Sequence, residues 1–319
     1  MRAAVLHTLG ESPRYEEFSE PRLAEGEALL KVIAAALKPV DKQIASGTHY
    51  ASPKNLPVIC GTDGVGQLAD GTRIFFGGAR APYGAMAERT VVRQAFCFPL
   101  PDGLDDQIAA AIPNPGVSAW LTLVHRAKLT AGETVLILGA TGVTGKLAVK
   151  IAKLLGAGRV VAAGRNPEAL ESLREDGADA VIRLDTPDQE LAEAFARERG
   201  AAGFQVVIDY IWGRPTEIFL SAITRKEFAA VTTETRLVQV GESAGPEISL
   251  PAAVLRSTPL TILGTAGFPP REVLADALQK VMVHATSGEL RIATERVSLP
   301  DIESAWQRDA RGRRIVVVP

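Results

Sequence analysis

The segment that most constrains this fold is TVLILGATGVTGKLAVKIAKLLGAG, in which three glycines spaced by three residues separate an apolar stretch from a helical pattern. Thr134–Leu138 predicts a buried strand, and residues 143–156 predict a helix with one apolar face. Gly139, Gly142 and Gly145 fall in the turn between them. Glycines at these places allow a tight turn, a close approach of the backbone to a phosphate, and close packing of helix on strand. The segment therefore predicts a loop that holds a pyrophosphate at the positive end of a helix dipole.

The same alternation of apolar stretches and helical patterns continues beyond this loop. Further buried strands are predicted at Arg159–Ala163, Ala180–Leu184, Gln205–Asp209, Arg236–Val240 and Leu260–Leu263. Further helices are predicted at 167–176, 187–199 and 213–223. Strands that lack polar alternation and are separated by helices indicate a parallel sheet covered on both faces. We predict an α/β fold class with a doubly wound, dinucleotide-binding sheet of the Rossmann type.

The two flanks of the chain lack this alternation. Residues 1–113 contain short strands and many turns, with a hairpin signal at Asp70-Gly71. The other flank contains, in order, a helix at Arg271–Thr286, the strand-like RIATERVSL, a short helix near 301–309 and the terminal strand RRIVVVP. Because neither flank is self-sufficient, we predict that residues 1–115 and 265–319 form one β-rich domain. Residues 116–264 would be the inserted nucleotide-binding domain.

Composition excludes several classes of protein. The chain has 319 residues, enough for two hydrophobic cores. Its net charge is −2, so it does not have the excess of basic residues that is typical of nucleic-acid binders. No apolar run approaches the roughly 20 residues of a membrane span. Cys60 and Cys97 are the only cysteines, and the four histidines show no ligand spacing, so we predict neither a disulfide framework nor a metal site. These features favour a reducing, cytoplasmic setting.

The end of the second predicted strand, AAGRNP, bears on the choice of cofactor. Sheets that select NAD place a carboxylate there to bind the ribose 2′-hydroxyl. This chain has Gly164, Arg165 and Asn166 instead. A guanidinium can hold a 2′-phosphate through two parallel hydrogen bonds and can stack on the adenine ring. We therefore predict NADPH as the cofactor; the alternative is that Arg165 is a solvated loop residue.

Motifs in a fixed order cover nearly the whole chain: MRAAVL, KVIAAALKPVDKQIASG, GTDGVG, YGAMAERTVV, GATGVTG, VVIDYIWG, RLVQVGE and GRRIVVVP. This set resembles the zinc-free quinone oxidoreductases (zeta-crystallin-like) of the medium-chain dehydrogenase/reductase superfamily. The resemblance implies a GroES-like β-rich catalytic domain with an inserted Rossmann domain, which agrees with the organisation inferred above.

The resemblance also bears on metal binding. Zinc-dependent relatives carry a cysteine just ahead of an N-terminal aspartate, where this chain has Lys38 ahead of Asp41. Their Gly-His-Glu motif is Gly61-Thr62-Asp63 here, and the lobe that holds four structural cysteines is missing. The comparison implies that no catalytic zinc is bound. Quinone reductases of this type usually have asparagine at the position of Lys38.

The resemblance further implies which residues contact NADPH. Ser118 precedes the first strand of the predicted sheet, and the others lie in the glycine loop or at and just after the strand ends: Gly139, Thr141, Gly142, Val143, Thr144, Gly145, Gly164, Arg165, Asn166, Asp209, Tyr210, Val240, Gly241, Glu242 and Ser243.

Without a metal, the acceptor must be one whose reduction needs little assistance. A quinone or an activated enone fits, because hydride arrival creates a delocalised oxyanion that a hydrogen-bond donor or water can stabilise. We predict catalytic residues in LKPVDKQIASGTHY, flooring a cleft between the domains: Lys38 steadies the oxyanion or contacts the cofactor, and Asp41 orients its loop. Tyr50 or His49 lines the pocket. The alternatives are that Lys38 is a surface lysine and that His49 and Tyr50 lie on the surface of a loop. Cys60 is expected to be a buried structural thiol.

Three hypotheses for function stay open. The first is an NADPH-dependent quinone reductase, and the second is an enone or alkenal reductase. The third is a protein that binds NADPH without turnover and acts as a sensor or structural protein. A homodimer is also expected, because the apolar PLTILG at 259–264 would form a sheet edge prone to pairing with a second chain, as such strands do in the resembled family.

Overall fold

The computed structural model describes residues 1–224, 234–265, 269–309 and 312–319. The strands are β1 (Arg2–Leu6), β2 (Arg14–Glu17), β3 (Glu27–Leu37), β4 (Val58–Ile59), β5 (Asp63–Gln67), β6 (Arg73–Gly77), β7 (Arg89–Arg93), β8 (Cys97–Pro99), β9 (Thr134–Leu138), β10 (Arg159–Gly164), β11 (Ala180–Arg183), β12 (Val206–Asp209), β13 (Thr235–Gln239), β14 (Leu260–Gly264), β15 (Thr294–Ser298) and β16 (Arg314–Val318). The α-helices are α1 (Pro39–Ser46), α2 (Asp106–Ala111), α3 (Pro113–Leu121), α4 (Val143–Leu154), α5 (Pro167–Glu175), α6 (Asp188–Arg199), α7 (Gly213–Ile223), α8 (Ala252–Ser257), α9 (Arg271–Thr286) and α10 (Ile302–Gln307).

The chain divides into two units. One comprises Met1–Asn114 with Leu278–Pro319, and the other comprises Pro115–Ala277. The second division falls inside α9, whereas the sequence placed it at 264/265. Among the described residues, no helix is both long and apolar enough to cross a membrane.

The unit formed by Pro115–Ala277 is built on a six-stranded sheet in the order β11-β10-β9-β12-β13-β14, with every neighbouring pair parallel. The central strands β9 and β12 are buried along their whole length, which explains their continuous apolar sequence. The predicted α/β class and doubly wound sheet are therefore confirmed. Each predicted strand matches an observed one to within one residue at either end, whereas the six-residue α8 was not predicted.

One face of this sheet is closed by α6 and α7. Phe195 of α6 and Phe219 of α7 are fully buried and meet edge to face, with ring centroids 5.5 Å apart. They pack in the same core as Leu136 and Val207 of the central strands.

The other unit joins the two flanks of the chain through strand pairing. Strand β16 pairs antiparallel with β3, so that Val317 lies opposite Ala35, and β15 continues the sheet in parallel with β16. The flanks are incomplete alone because the C-terminal strands complete a sheet begun by the N-terminal ones. The predicted hairpin is present between β5 and β6, where Gly71 has φ +90° and the Thr72 N–H donates to Asp70. The short helices α1 and α2 replace turns expected from the sequence.

The glycine loop between β9 and α4 assigns a separate role to each glycine. Gly139 has φ +84°, a left-handed conformation that only glycine adopts easily. A Cβ on Gly145 would overlap the Gly139 carbonyl and lie 2.6 Å from Ala140 Cα. A Cβ on Gly142 would meet nothing closer than the Gly139 oxygen at 3.5 Å. Gly139 thus makes the turn, Gly145 allows helix–strand packing, and Gly142 faces open space.

We expect Gly145→Ala to lower the free energy of unfolding by about 1–3 kcal/mol, the usual cost of forcing atoms into a packed backbone. Gly142→Ala has ordinary φ and room for its methyl group, so it should change stability by less than about 1 kcal/mol. Urea unfolding followed by circular dichroism of both variants makes the comparison. Equal losses in the two variants would contradict the separation of roles.

Candidate functional site

The start of α4 is the first part of the candidate site. Gly142 is its N-cap and supplies no side-chain hydrogen bond, so the first N–H groups of the helix, from Val143 to Gly145, have neither an intrahelical nor a capping side-chain partner among the described residues. Gly142 is exposed, and Thr141 and Thr144 are half-buried beside it. Unpaired N–H groups at a helix N-terminus, with an exposed glycine in front of them, fit a pyrophosphate. The geometry agrees with the predicted phosphate loop.

The end of β10 lies beside this loop. Gly164 is buried, and a Cβ there would lie 2.5 Å from the methyl group of Thr141, so only glycine allows this contact. Arg165 is exposed and is available to a ligand. Asn166 has a second role, because its side-chain oxygen accepts the Ala169 N–H at 2.9 Å and caps α5. Only the amide NH₂ of Asn166 therefore remains for a phosphate.

Asp209, predicted to contact the cofactor, lies at the end of β12 and bonds to its own loop. It is fully buried, and its Oδ1 accepts the N–H groups of Ile211 and Trp212 at 2.9 and 2.8 Å. Its Oδ2 accepts the Thr216 hydroxyl at 2.5 Å. Burial raises the pKa of Asp209, although these hydrogen bonds oppose the shift. Both carboxylate oxygens of Asp209 thus accept hydrogen bonds from its own loop and from Thr216, and Trp212 in that loop has φ +56°. A contact between Asp209 and the cofactor stays a prediction.

Tyr210 is the residue of this loop with an unused polar atom. Its hydroxyl is buried and has no hydrogen-bond partner among the described residues. Burial raises the pKa of Tyr210, so the hydroxyl stays protonated and is a donor. An orphaned buried donor at the carboxyl end of the sheet fits a bound molecule that supplies an acceptor.

The segment after β13 adds backbone groups to the same edge of the sheet. The N–H groups of Val240 and Gly241 donate to the Asp209 carbonyl at 2.8 and 3.2 Å. A Cβ on Gly241 would lie 2.5 Å from the backbone carbonyl oxygen of Tyr210. The Ser243 hydroxyl donates to the same carbonyl oxygen at 3.4 Å. These contacts bring two predicted loops together. Of the remaining predicted residues, Glu242 is exposed and Ser118 is half-buried on α3.

Lys38, which the sequence assigned to catalysis, lies in the core of the other unit. Only 1% of its surface is exposed. Its Nζ donates to Asp63 Oδ1 at 2.8 Å and to the Ala36 carbonyl at 3.1 Å, and it lies 3.3 Å from Asp41 Oδ2. Burial alone would lower the pKa of Lys38, but the two carboxylates outweigh burial and raise it. Three oxygens thus surround the three ammonium donors, and the surface alternative is wrong for this residue. Contact of Lys38 with an oxyanion or with the cofactor stays a prediction.

Asp41 and Arg314 complete this buried cluster. Asp41 accepts the backbone N–H of Lys38 at 2.8 Å and, through Oδ1, the N–H and hydroxyl of Thr62 at 3.0 Å each. The prediction that Asp41 orients its loop agrees with these bonds. Arg314 of β16 is 6% exposed and donates to the Leu37 carbonyl at 3.3 Å. Burial lowers the pKa of Arg314, and the carboxylates of Asp41 and Asp63 oppose that shift. Two cations therefore face two carboxylates in the core.

The predicted catalytic residues do not all come together. Tyr50 is 94% exposed and stacks on His49, with ring centroids 4.0 Å apart. Lys38 and Asp41 are buried in the cluster just described. Cys60 is a buried thiol as expected, and burial raises its pKa to about 12. The sequence missed Asp63 and Arg314 as cluster members; the one signal for Asp63 was its place directly after Thr62 in GTD.

Comparison with known proteins agrees with this architecture. Residues 143–282 match a family model described as zinc-binding dehydrogenase. The chain is 28% identical to a probable NADPH-dependent quinone reductase of Emericella nidulans over the whole of both chains. It is 31% identical to a chloroplastic NADPH-dependent alkenal/one oxidoreductase of Arabidopsis thaliana over 51% of this chain and 46% of the relative. Among solved structures, the quinone oxidoreductase of Thermus thermophilus, also solved with NADPH, aligns over all of both chains with a TM-score of 0.80 and 29% identity.

We expect Lys38→Met to lower the free energy of unfolding by about 3–5 kcal/mol, because it removes the ammonium that lies within 3.3 Å of two buried carboxylates. Adding Asp63→Asn to that variant removes one of those charges and should recover part of the loss. Lys31→Met, which removes an exposed lysine of β3, is the matched control and should change stability little. Urea unfolding provides the measurement. A loss below about 1 kcal/mol for Lys38→Met would show that its ammonium is not the counter-charge of the cluster.

Proposed function

Since the chain belongs to the quinone oxidoreductase family of the medium-chain dehydrogenase/reductase superfamily, we propose that it transfers hydride from NADPH to a quinone or a similar activated carbonyl acceptor. One observation carries the proposal: an uncapped helix start with open space at Gly142 lies beside a strand end that has an exposed arginine and no carboxylate. This arrangement suits a pyrophosphate and a 2′-phosphate in one ligand.

NADPH, when bound, supplies the hydride. The chain itself supplies binding and orientation. The N–H groups from Val143 to Gly145 would hold the pyrophosphate, Arg165 would hold the 2′-phosphate, and the Tyr210 hydroxyl would donate to an acceptor of the bound cofactor. Asp209 would act indirectly, because its carboxylate fixes the loop that carries Tyr210.

Quinones are the favoured acceptors because their reduction places negative charge on a delocalised oxygen that needs no strong Lewis acid. The relative from Arabidopsis thaliana named as an alkenal/one oxidoreductase makes an enal or enone the second candidate. Both acceptors receive hydride at an electron-poor conjugated system. The same site therefore suits a quinone or an enone, and an activity assay with both kinds of acceptor must distinguish them.

Zinc independence is part of the proposal. The positions at which zinc-dependent relatives carry ligands are occupied here by Lys38, Thr62 and Asp63, and the Lys38 ammonium already lies 2.8 Å from the Asp63 carboxylate. A divalent cation bound to the same carboxylates would be repelled strongly by that ammonium in a low-dielectric core. The family model described as zinc-binding covers residues 143–282, which do not include this cluster.

We also propose a homodimer located in the cytoplasm. Strand β14 is the outermost strand of the six-stranded sheet, and its residues from Leu260 to Leu263 are only half-buried. Leu255 of the adjacent α8 is 53% exposed. An apolar sheet edge of this kind is a template for pairing with the same edge of a second copy. Both cysteines are free thiols, which is compatible with a reducing compartment.

We expect the purified protein, treated with a chelator, to oxidise NADPH with 1,4-benzoquinone or 9,10-phenanthrenequinone faster than with 2-alkenals. The absorbance of NADPH at about 340 nm reports the rate, and elemental analysis of the same sample should find no stoichiometric zinc. Faster oxidation with alkenals would favour the second candidate. NADPH binding without oxidation by any acceptor would overturn the proposal in favour of a sensor or structural protein.

We expect Arg165→Ala to weaken NADPH binding roughly ten- to a hundred-fold, because a charge-assisted hydrogen bond contributes about 1.5–3 kcal/mol. NADH binding should change little, since it lacks the 2′-phosphate. Titration of intrinsic tryptophan fluorescence measures both constants. A native preference for NADH, or equal weakening of both cofactors, would leave Arg165 as a solvated loop residue.

We expect sedimentation velocity at micromolar concentration to give twice the chain mass of 33.8 kDa. Leu263→Lys places a charge on the solvent-side face of β14, opposite the face on which Leu260 and Ile262 contact the core, and should shift the equilibrium to the monomer. Leu23→Lys, at an exposed leucine of the other unit, is the control. A native monomer, or dissociation by both variants alike, would exclude β14 as the interface.

A further inference from the structure

The neighbouring strand places a second arginine at the corner where Arg165 lies. Strand β11 runs parallel to the end of β10, and Arg183 is the direct partner of Gly164 in the register. The Leu184 N–H donates to the Gly164 carbonyl at 2.9 Å, so the two chains remain paired past this point. Neighbouring strands lie about 4.8 Å apart, so Arg183 starts within one strand spacing of the residue that precedes Arg165.

The Arg183 guanidinium is held in a fixed orientation. Its Nε donates to Asp185 Oδ1 at 3.1 Å, and its Nη2 donates to Asp185 Oδ2 at 2.8 Å. The hydrogen bonds from Arg183 lower the pKa of Asp185, and the positive charge of Arg165 adds to that effect. Asp185 therefore contacts Arg183 directly and lies within electrostatic range of Arg165, and these three residues are called the Arg165–Asp185–Arg183 cluster.

The cluster keeps unused capacity for an anion. A guanidinium has five N–H donors, and Asp185 takes two from Arg183, which leaves three. The Arg183 side chain is 53% exposed, so a ligand can reach it. Two arginines and one aspartate leave one positive charge. An exposed pair two residues apart contributes less than about 1 kcal/mol to stability, so the fold does not depend on this arrangement.

We propose that Arg183 is a second ligand of the 2′-phosphate, together with Arg165, and that Asp185 is the positioning residue that holds the Arg183 fork. The proposal rests on the proposed use of NADPH. It adds a specificity determinant on a different strand from the predicted Arg165. A phosphate held between two guanidiniums has more of its oxygens bound than one guanidinium can reach.

Binding constants of the wild type and single variants test the assignment. The probes are NADPH and NADH, together with 2′,5′-ADP and 5′-AMP, which differ by the 2′-phosphate alone, and isothermal titration calorimetry is the readout. Arg183→Ala should weaken NADPH and 2′,5′-ADP about ten-fold and leave NADH and 5′-AMP within about two-fold. Arg183→Lys keeps the positive charge but lacks the forked guanidinium, so its affinities for NADPH and 2′,5′-ADP should lie between those of the wild type and those of Arg183→Ala. Arg197→Ala, at another exposed arginine of the same unit, should change none of the four constants.

The Asp185→Ala variant tests whether the Asp185 carboxylate positions Arg183 or repels the phosphate. If Asp185 holds Arg183, its removal should weaken 2′,5′-ADP several-fold in the wild type and have no further effect in the Arg183→Ala background. Tighter binding of 2′,5′-ADP by Asp185→Ala would show that the carboxylate repels the phosphate and would overturn the positioning role.

The outcomes distinguish this inference from the proposed function. If the native protein prefers NADPH but Arg183→Ala leaves the NADPH-to-NADH ratio unchanged, Arg183 is not a ligand and the proposed function stands. If the native protein binds 2′,5′-ADP no better than 5′-AMP, the proposed use of NADPH fails as well.

Discussion

Parallel strand pairing is the constraint on which the candidate site depends. When every strand of a sheet runs in the same direction, all of the carboxyl ends meet at one edge, whatever the distance between them in the sequence. That rule brings Gly139, Gly164, Asp209 and Gly241 together, although they are spread over a hundred residues. The glycines allow close backbone contact there, and Asp209 stiffens the loop after β12. The result is an edge that presents the uncapped N–H groups at the start of α4 beside the exposed Arg165.

Neutralisation of buried charge shapes the other unit in a comparable way. An ammonium in a protein core is tolerated only with counter-charges and hydrogen bonds in good geometry. Lys38 has both Asp41, three residues away, and Asp63 on β5 as counter-charges, and Arg314 on β16 adds a second positive charge within electrostatic range of the two carboxylates. The cluster thus ties α1, β5 and β16 to one point.

The sequence predicted features that repeat along the chain and missed those that depend on long-range contacts. The strands of the parallel sheet were predicted because their burial requires continuous apolar residues, and the glycine loop because its spacing reflects backbone geometry. The burial of Lys38 was missed because its partner Asp63 lies 25 residues away and nothing local reveals that a lysine is buried. The hydrogen bonds from Asp209 to its own loop were missed because the sequence of a strand end does not reveal whether its carboxylate faces a ligand or the following loop. Arg183 was overlooked because its proximity to Arg165 follows only from the register of β10 and β11.

The pairing of β16 with β3 has a consequence for the order of events during synthesis. The ribosome makes β3, Lys38 and Asp63 early and Arg314 late, with the entire parallel-sheet unit between them. The inserted unit can therefore complete its core while the chain is still growing, whereas β3 must wait with an open edge and an unbalanced charge cluster. Vectorial synthesis thus favours an order in which the nucleotide-binding unit folds first and the unit made from both flanks folds last.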